Sequence, residues 1–192
     1  LHTIYTCFAK NIKFNSQEDF FRWYVNKRNN ALWNKIIKRE LTIGHYFDNN
    51  VQMGEDFLFF LSFISQIQKY QYSTIGIYYY FKRSDSATDS FANNLYKRIQ
   101  VLWNNMSKVS EILHNDNMQD LRNGIIYHTY VWNLFRLAKY MKKNDIIRLK
   151  DIYKEMNWNK MKYIKISVRI KLYLSRLILN GNMFIGKSRI FI

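Results

Sequence analysis

The stretch Ile164-Lys165-Ile166-Ser167-Val168-Arg169-Ile170-Lys171-Leu172-Tyr173-Leu174-Ser175-Arg176-Leu177-Ile178 admits two readings, and the fold of the C-terminal third turns on the choice. Ile164, Ile166, Val168, Ile170, Leu172 and Leu174 alternate with Lys165, Ser167, Arg169, Lys171 and Tyr173, the period of a half-buried strand. Ile170, Leu174, Leu177 and Ile178 also recur at i, i+4, i+7 and i+8, one face of a helix. Periodicity alone favours a strand up to about Leu172. Asn180-Gly181-Asn182 then marks a stop or turn, and Met183 to Ile192 holds two short apolar pieces around Gly186-Lys187-Ser188.

Charge sets this region apart from the rest. Residues 1–120 carry 14 basic and 11 acidic side chains, a net +3, whereas residues 121–192 carry 16 and 3, a net +13. Glu155 is the last acidic residue, and Lys160, Lys162, Lys165, Arg169, Lys171, Arg176, Lys187 and Arg189 follow it unopposed. A merely solvated surface mixes signs, because like charges at this density repel unless a polyanion neutralises them. With a formal charge of +16 on the whole chain, the expected partner is nucleic acid ahead of an anionic membrane surface.

The 192 residues suffice for one ordinary domain or two small ones. A hydrophobic content of 48% and an aromatic content of 18% exclude a disordered tail. The single cysteine, Cys7, excludes an internal disulfide framework and any site built from several thiolates. The most apolar run, Phe57 to Ile64, is less than half of the roughly 20 residues a membrane span needs, and it reads as a buried core helix. Leu1 to Lys10 lacks a basic leader followed by a long apolar run, so no secretory leader is expected. Asn (21) and Ile (23) are abundant while Ala (5) and Pro (0) are scarce, an alphabet that fits an AT-rich genome such as a protist organelle's.

Helical spacing dominates the rest of the chain. Ser16-Gln17-Glu18-Asp19 opens a helix with acidic residues in its first turn, running through Phe20, Phe21, Trp23 and Tyr24. Further helices are expected over Asn30 to Leu41, Glu55 to Tyr70, Asp89 to Val109, Tyr130 to Met141 and Ile146 to Met156, with breaks at Asn144-Asp145 and Asn157-Trp158-Asn159. Thr74 to Phe81, aromatic and β-branched, suits a short strand.

Catalytic patterns are weak throughout. Gly181 to Ser188 satisfies the phosphate-loop expression, but that loop works only between a strand and a helix, and four residues after Ser188 make no useful helix. His2, His45, His114 and His128 share no metal or triad spacing, and each reads as a surface or core histidine. Glu18-Asp19 and Glu55-Asp56 are adjacent pairs that point in different directions and suit helix N-termini. Tyr78-Tyr79-Tyr80-Phe81-Lys82-Arg83 could stack on bases, although a core or protein interface is the commoner use of such aromatics. No enzyme activity, cofactor, metal or small-molecule substrate is expected.

Leu177-Ile178-Leu179-Asn180-Gly181-Asn182-Met183-Phe184-Ile185, followed by Arg189-Ile190-Phe191-Ile192, resembles the RNA-binding module of the ribosomal small-subunit protein S-four family. That family runs leucine, an aliphatic residue, any residue, histidine, glycine, histidine, then a strand, a turn and a second strand. Gly181 falls on the family glycine, and Asn180 and Asn182 take the histidine positions. Asn157 to Tyr163 stands where the family starts a helix with arginine-leucine-aspartate, Asn157 replacing the arginine and Asn159 the aspartate. Lys171 lies on a basic position of the following helix. Leu121-Arg122 and Phe135-Arg136-Leu137-Ala138 are similar to the family's preceding helical segment. The resemblance covers about residues 119–192 and implies that Ile170 to Ile178 is a helix, which is the reading adopted over the alternation.

The resulting expectation is a mainly α protein with a small C-terminal α/β RNA-binding module of two helices and short β-strands. Residues 1–118 form a lineage-specific helical extension of net charge +4 that contacts other proteins, and 119–192 form the RNA-binding region. The resemblance implies a structural protein of the small subunit of a mitochondrial ribosome, in the matrix, with small-subunit rRNA and neighbouring ribosomal proteins as partners. The RNA-binding residues are then Arg122, Arg136, Lys160, Lys162, Arg169, Lys171, Arg176, Asn180, Gly181, Asn182, Lys187 and Arg189. Such binding reads RNA shape and 2′-hydroxyls more than base identity. The alternative is an accessory subunit of a mitochondrial respiratory complex, its basic tail on anionic lipid.

Overall fold

The computed structural model describes residues 3–4, 11–27, 32, 35–51, 53–73, 79–80 and 94–181. These are mostly helical. Strands β1 (Thr3–Ile4) and β2 (Asn11–Lys13) precede α1 (Gln17–Lys27), whose N-terminus is closed by Ser16: its Oγ accepts from the Asp19 N–H at 3.1 Å and donates to the Asp19 carboxylate at 2.9 Å. The apolar run forms α2 (Glu55–Phe63) and a 3-10 turn (Ile64–Gln66), with Leu61, Phe63 and Ile64 at most 1% exposed. β3 (Gln71–Ser73) pairs antiparallel with β2, Ile12 opposite Tyr72, and β4 (Tyr79–Tyr80) pairs with β1. The strand expected over Thr74 to Phe81 is thus seen at Tyr79–Tyr80; residues 74–78 and 81 lie outside the described residues.

The second half is a helical stack. α3 (Leu95–Ile112) starts at Asn94, whose side chain accepts from the Lys97 N–H. α4 (Gln119–Ile125) runs without interruption through a π-helical segment (Ile126–Val131) into α5 (Trp132–Arg136). α6 (Lys143–Glu155) and α7 (Ile166–Leu179) are the last two helices among the described residues, joined by a 3-10 turn (Trp158–Lys160) and the loop 161–165.

One core runs across the boundary expected near 118. Phe20 stacks on Tyr70 with ring centroids 3.6 Å apart, and Tyr24 meets Phe60 at 5.4 Å. That aromatic layer continues into Ile99, Val109, Leu121, Ile125, Val131, Leu134, Leu149 and Leu172, all buried. Gly124 lets α1 and α4 approach, because a Cβ there would stand 3.1 Å from Val25 Cγ2. His128 is a core histidine: its Nδ1 donates to Val25 O at 3.0 Å, satisfying a carbonyl at the end of α1.

Several expected elements end differently. Of the helix expected over Asn30 to Leu41, residues 35–38 are non-helical and Arg39–Thr42 make a single 3-10 turn, while 30, 31, 33 and 34 lie outside the described residues. Leu32, Ile37 and Leu41 pack against the core while Ile36 is fully exposed, so the apolar positions here do not bury one helical face that would offset the nucleation cost of a short helix. The helix expected to reach Tyr70 stops at Gln66, because Ile67 turns extended and Tyr70 is drawn onto Phe20. The break expected at Asn144-Asp145 falls earlier. Asp145 sits in the first turn of α6, accepting from the Lys142 N–H at 3.3 Å and from Trp103 Nε1 at 3.1 Å. The helix expected over Asp89 to Val109 is seen from Leu95 onward, with 89–93 outside the described residues. Alternation at 164–174 did not make a strand: α7 is helical over the whole stretch implied by the resemblance. The two strands expected within 183–192 lie outside the described residues.

Candidate nucleic-acid interface

Lys160, Lys162 and Lys165 are carried by a 3-10 turn and loop that the rest of the chain holds in place, and Arg169, Lys171 and Arg176 by α7. Asn26, at the end of α1, donates from Nδ2 to Tyr163 O at 2.6 Å and accepts the Lys165 N–H on Oδ1 at 3.2 Å. Asn123 donates to Lys160 O at 3.3 Å and Arg22 to Lys162 O at 3.4 Å. The start of α7 is therefore fixed by side chains distant in sequence, none of which carries a signal in the sequence around it.

Two of the expected RNA-binding residues serve this anchoring. Lys162 Nζ lies 3.3 Å from Asp120 and 3.7 Å from Glu18, so it bridges α4 and α1. Desolvation opposes its charge, but the hydrogen bond to Asp120 and the Glu18 carboxylate outweigh it and hold its pKa above the usual lysine value. Arg169 folds back along α7 to donate from Nε to Ile164 O at 3.1 Å and from Nη2 to Met161 O. Arg122 is half-buried and donates to Leu113 O at 3.4 Å, close to the end of α3. These three are engaged by groups of the protein itself.

Others face outward. Arg136, Lys160 and Lys171 are exposed and Arg176 is half-buried; among the described residues, none of the four makes an ion pair. Lys165, at the mouth of α7, is likewise exposed. Lys171 Nζ stands 5.9 Å from the centre of the Trp132 ring, itself stacked on Phe135 at 5.8 Å, which links α7 to α5. α7 ends as the sequence indicates: the Asn180 N–H donates to Arg176 O, the Gly181 N–H to Ile178 O, and Gly181 adopts φ +73° with open space around it. Asn180 is exposed; Asn182, Lys187 and Arg189, like the phosphate-loop match, lie outside the described residues beyond Gly181.

At α6, three cations are engaged within the protein. Arg148 covers the Trp103 ring at 4.3 Å, Lys142 covers Tyr96 at 4.5 Å, and Lys154 pairs with Asp151 at 2.8 Å. Asp145, Asp151 and Glu155, all the carboxylates of the C-terminal third, sit on this helix. The acid-poor surface is thus Lys160 to Gly181 with the end of α5, and α6 lies behind it. Tyr153 Oη and Ser175 Oγ, 2.5 Å apart and buried, fasten α7 to α6, and Ser175 Oγ donates onward to Leu172 O at 2.7 Å.

Among the described residues, one close Ser–His pair exists elsewhere. His45 Nδ1 is 2.8 Å from Ser62 Oγ, but Gln66 Nε2 stands 3.1 Å from His45 Nε2 and donates to it. That network puts the proton on Nδ1, and the Ser62 hydroxyl donates to Phe59 O at 2.8 Å instead, so the imidazole does not act as its base. Among the described residues no group of three or more His, Cys, Asp or Glu could hold a metal, and no helix is long and apolar enough to cross a membrane. No protein-family model, curated protein or solved structure matches the chain.

Proposed function

We propose that this chain is a structural constituent of the small subunit of a mitochondrial ribosome, gripping rRNA through its basic C-terminal third. The observation that carries the reading is the surface of Arg136, Lys160, Lys165, Lys171 and Arg176: outward cations, no ion pair among the described residues, and no acidic residue in the sequence after Glu155. Phosphates of folded RNA neutralise such a surface and release counterions. The resemblance to the S-four family supports it further, since a helix stands at Ile166–Leu179 and ends at a glycine of positive φ where that family has its glycine. In this reading residues 182–192 supply the strands of the small α/β module, and Asn182, Lys187 and Arg189 extend the contact to RNA. Lys162 and Arg169 act by holding the loop from which α7 starts. The codon alphabet supports an organellar gene.

Residues 1–118 serve as an extension toward neighbouring ribosomal proteins. Their exposed Ile43, Tyr46 and Phe47, the last stacked on Phe59 at 4.3 Å, suit protein contacts. The test is sedimentation of mitochondrial extract. The proposal expects co-migration with small-subunit rRNA that RNase abolishes; detergent-resistant migration with a respiratory complex would replace it with the alternative.

A further inference from the structure

α7 has two apolar faces. Val168, Leu172, Ser175 and Leu179 turn inward, Leu172 and Ser175 at most 1% exposed. Ile166, Ile170, Leu174 and Ile178, spaced four apart, form a straight ridge on the outside, exposed by 75, 54, 37 and 40%. The sequence-based helical face Ile170-Leu174-Ile178 is therefore the outer crest of the helix and not its packed side. A helix apolar on both sides is ordinarily covered on both. An i, i+4 row is also the ridge with which one helix fits the groove of another.

We propose that this ridge docks a segment of another protein: an amphipathic helix with an aliphatic stripe edged by carboxylates. Aliphatic side chains offer RNA neither hydrogen bonds nor charge, so the crest does not suit phosphate. The edges give the sign of the partner. The exposed Lys171 borders the ridge on one side, the half-buried Arg176 lies beyond Tyr173 on the other, Arg169 is turned back onto Ile164 O and Met161 O, and α7 contains no acidic residue. A second copy of this chain would bring the same cations against them, a like-charge arrangement that opposes self-association. Cations at the flanks and aliphatics at the crest let α7 touch RNA and protein at once, but the inference stands without the RNA reading.

The test uses the full chain with Cys7→Ser and Ile170→Cys, labelled by a maleimide, and two synthetic helical peptides with the same leucine stripe, one edged by Glu and one by Lys. Expected are rapid labelling at every protein concentration, protection by the Glu-edged peptide, and binding at least about tenfold weaker for the Lys-edged peptide. Ile170→Ser, at an exposed position that leaves the fold intact, should weaken Glu-edged binding by about tenfold or more. Slow labelling at high dilution would mean that the chain covers its own ridge. Protection that rises with protein concentration would mean a second copy, and protection by an rRNA fragment alone would mean a nucleic-acid face. Any of these, or equal binding of the two peptides, overturns the proposal.

Discussion

The Tyr153–Ser175 hydrogen bond makes the seat of α7 measurable. Tyr153 is fully buried and Ser175 is 1% exposed, with their oxygens 2.5 Å apart. Because Ser175 Oγ already donates to Leu172 O, Tyr153 is the donor of the pair. The two single substitutions therefore differ. Tyr153→Phe removes the donor and leaves Ser175 its bond to Leu172 O, so it should cost about 0.5–1.5 kcal/mol, the net worth of one hydrogen bond. Ser175→Ala strands a phenol hydroxyl in the core and should cost about 1–3 kcal/mol. With both changes no polar group is stranded, so the double variant should cost clearly less than the sum, with a coupling of about 1 kcal/mol. Urea unfolding followed by circular dichroism, at constant m, gives all four stabilities. Strict additivity, or a Ser175→Ala variant as stable as the parent, would refute the geometry and with it the packing of α7 on α6.

Three further outcomes follow from named contacts. Gly54 has φ +87° and an added Cβ would meet Asn105 Nδ2 at 2.7 Å, whereas Gly44 has φ +81° and open space. Gly44→Ala should therefore cost about 1–2 kcal/mol from the left-handed backbone alone, and Gly54→Ala about 1–3 kcal/mol more, because it displaces the buried Asn105 amide from Met53 O; equal costs in thermal unfolding would contradict this. Burial lowers the Lys35 pKa to about 8, with Asp56 opposing, so between that pH and the unfolded value of about 10.4 the unfolded chain holds the extra proton and stability rises with pH. Above about pH 10 the sign reverses, since burial raises the hydroxyls of Tyr24, Tyr70, Tyr130 and Tyr153 and the unfolded chain then releases protons the folded one keeps. Melting temperature against pH should show that maximum, and Lys35→Met should flatten its rising side only. On an rRNA fragment, Lys160→Gln and Lys171→Gln should each reduce the salt-dependence slope by about 1, while Lys162→Gln, already engaged with Asp120 and Glu18, should leave it nearly unchanged; an equal reduction by all three would count against the division between outward and anchoring cations.

How much of this was legible in the sequence depends on where each element finds its partners. α1, with Ser16 and Asp19 three residues apart, and α2, with its unbroken apolar run, carry their signals locally. The Asn30 to Leu41 stretch fails because a plausible pattern met no packing surface for Ile36. α7 shows periodicity misled by composition: small numbers of alternating aliphatics and cations fit both templates, and the burial of Leu172 in the core with the Ser175 bond to α6 decides for the helix. The π-helical segment Ile126–Val131 has no local marker. For the candidate interface, the cluster of cations was readable as a count. Which of them point outward was not, because the groups that engage Lys162 come from Glu18 and Asp120, 144 and 42 residues away, and Asn26, which orders the loop, resembles any other asparagine.

The most direct measurement is ultraviolet cross-linking in intact mitochondria, with the cross-linked peptides and nucleotides identified by mass spectrometry. Small-subunit rRNA should be attached to peptides from residues 160–181, with Lys160 and Lys171 among the attachment points. Peptides from that stretch joined only to protein or lipid, with rRNA absent from them, would contradict the proposed function.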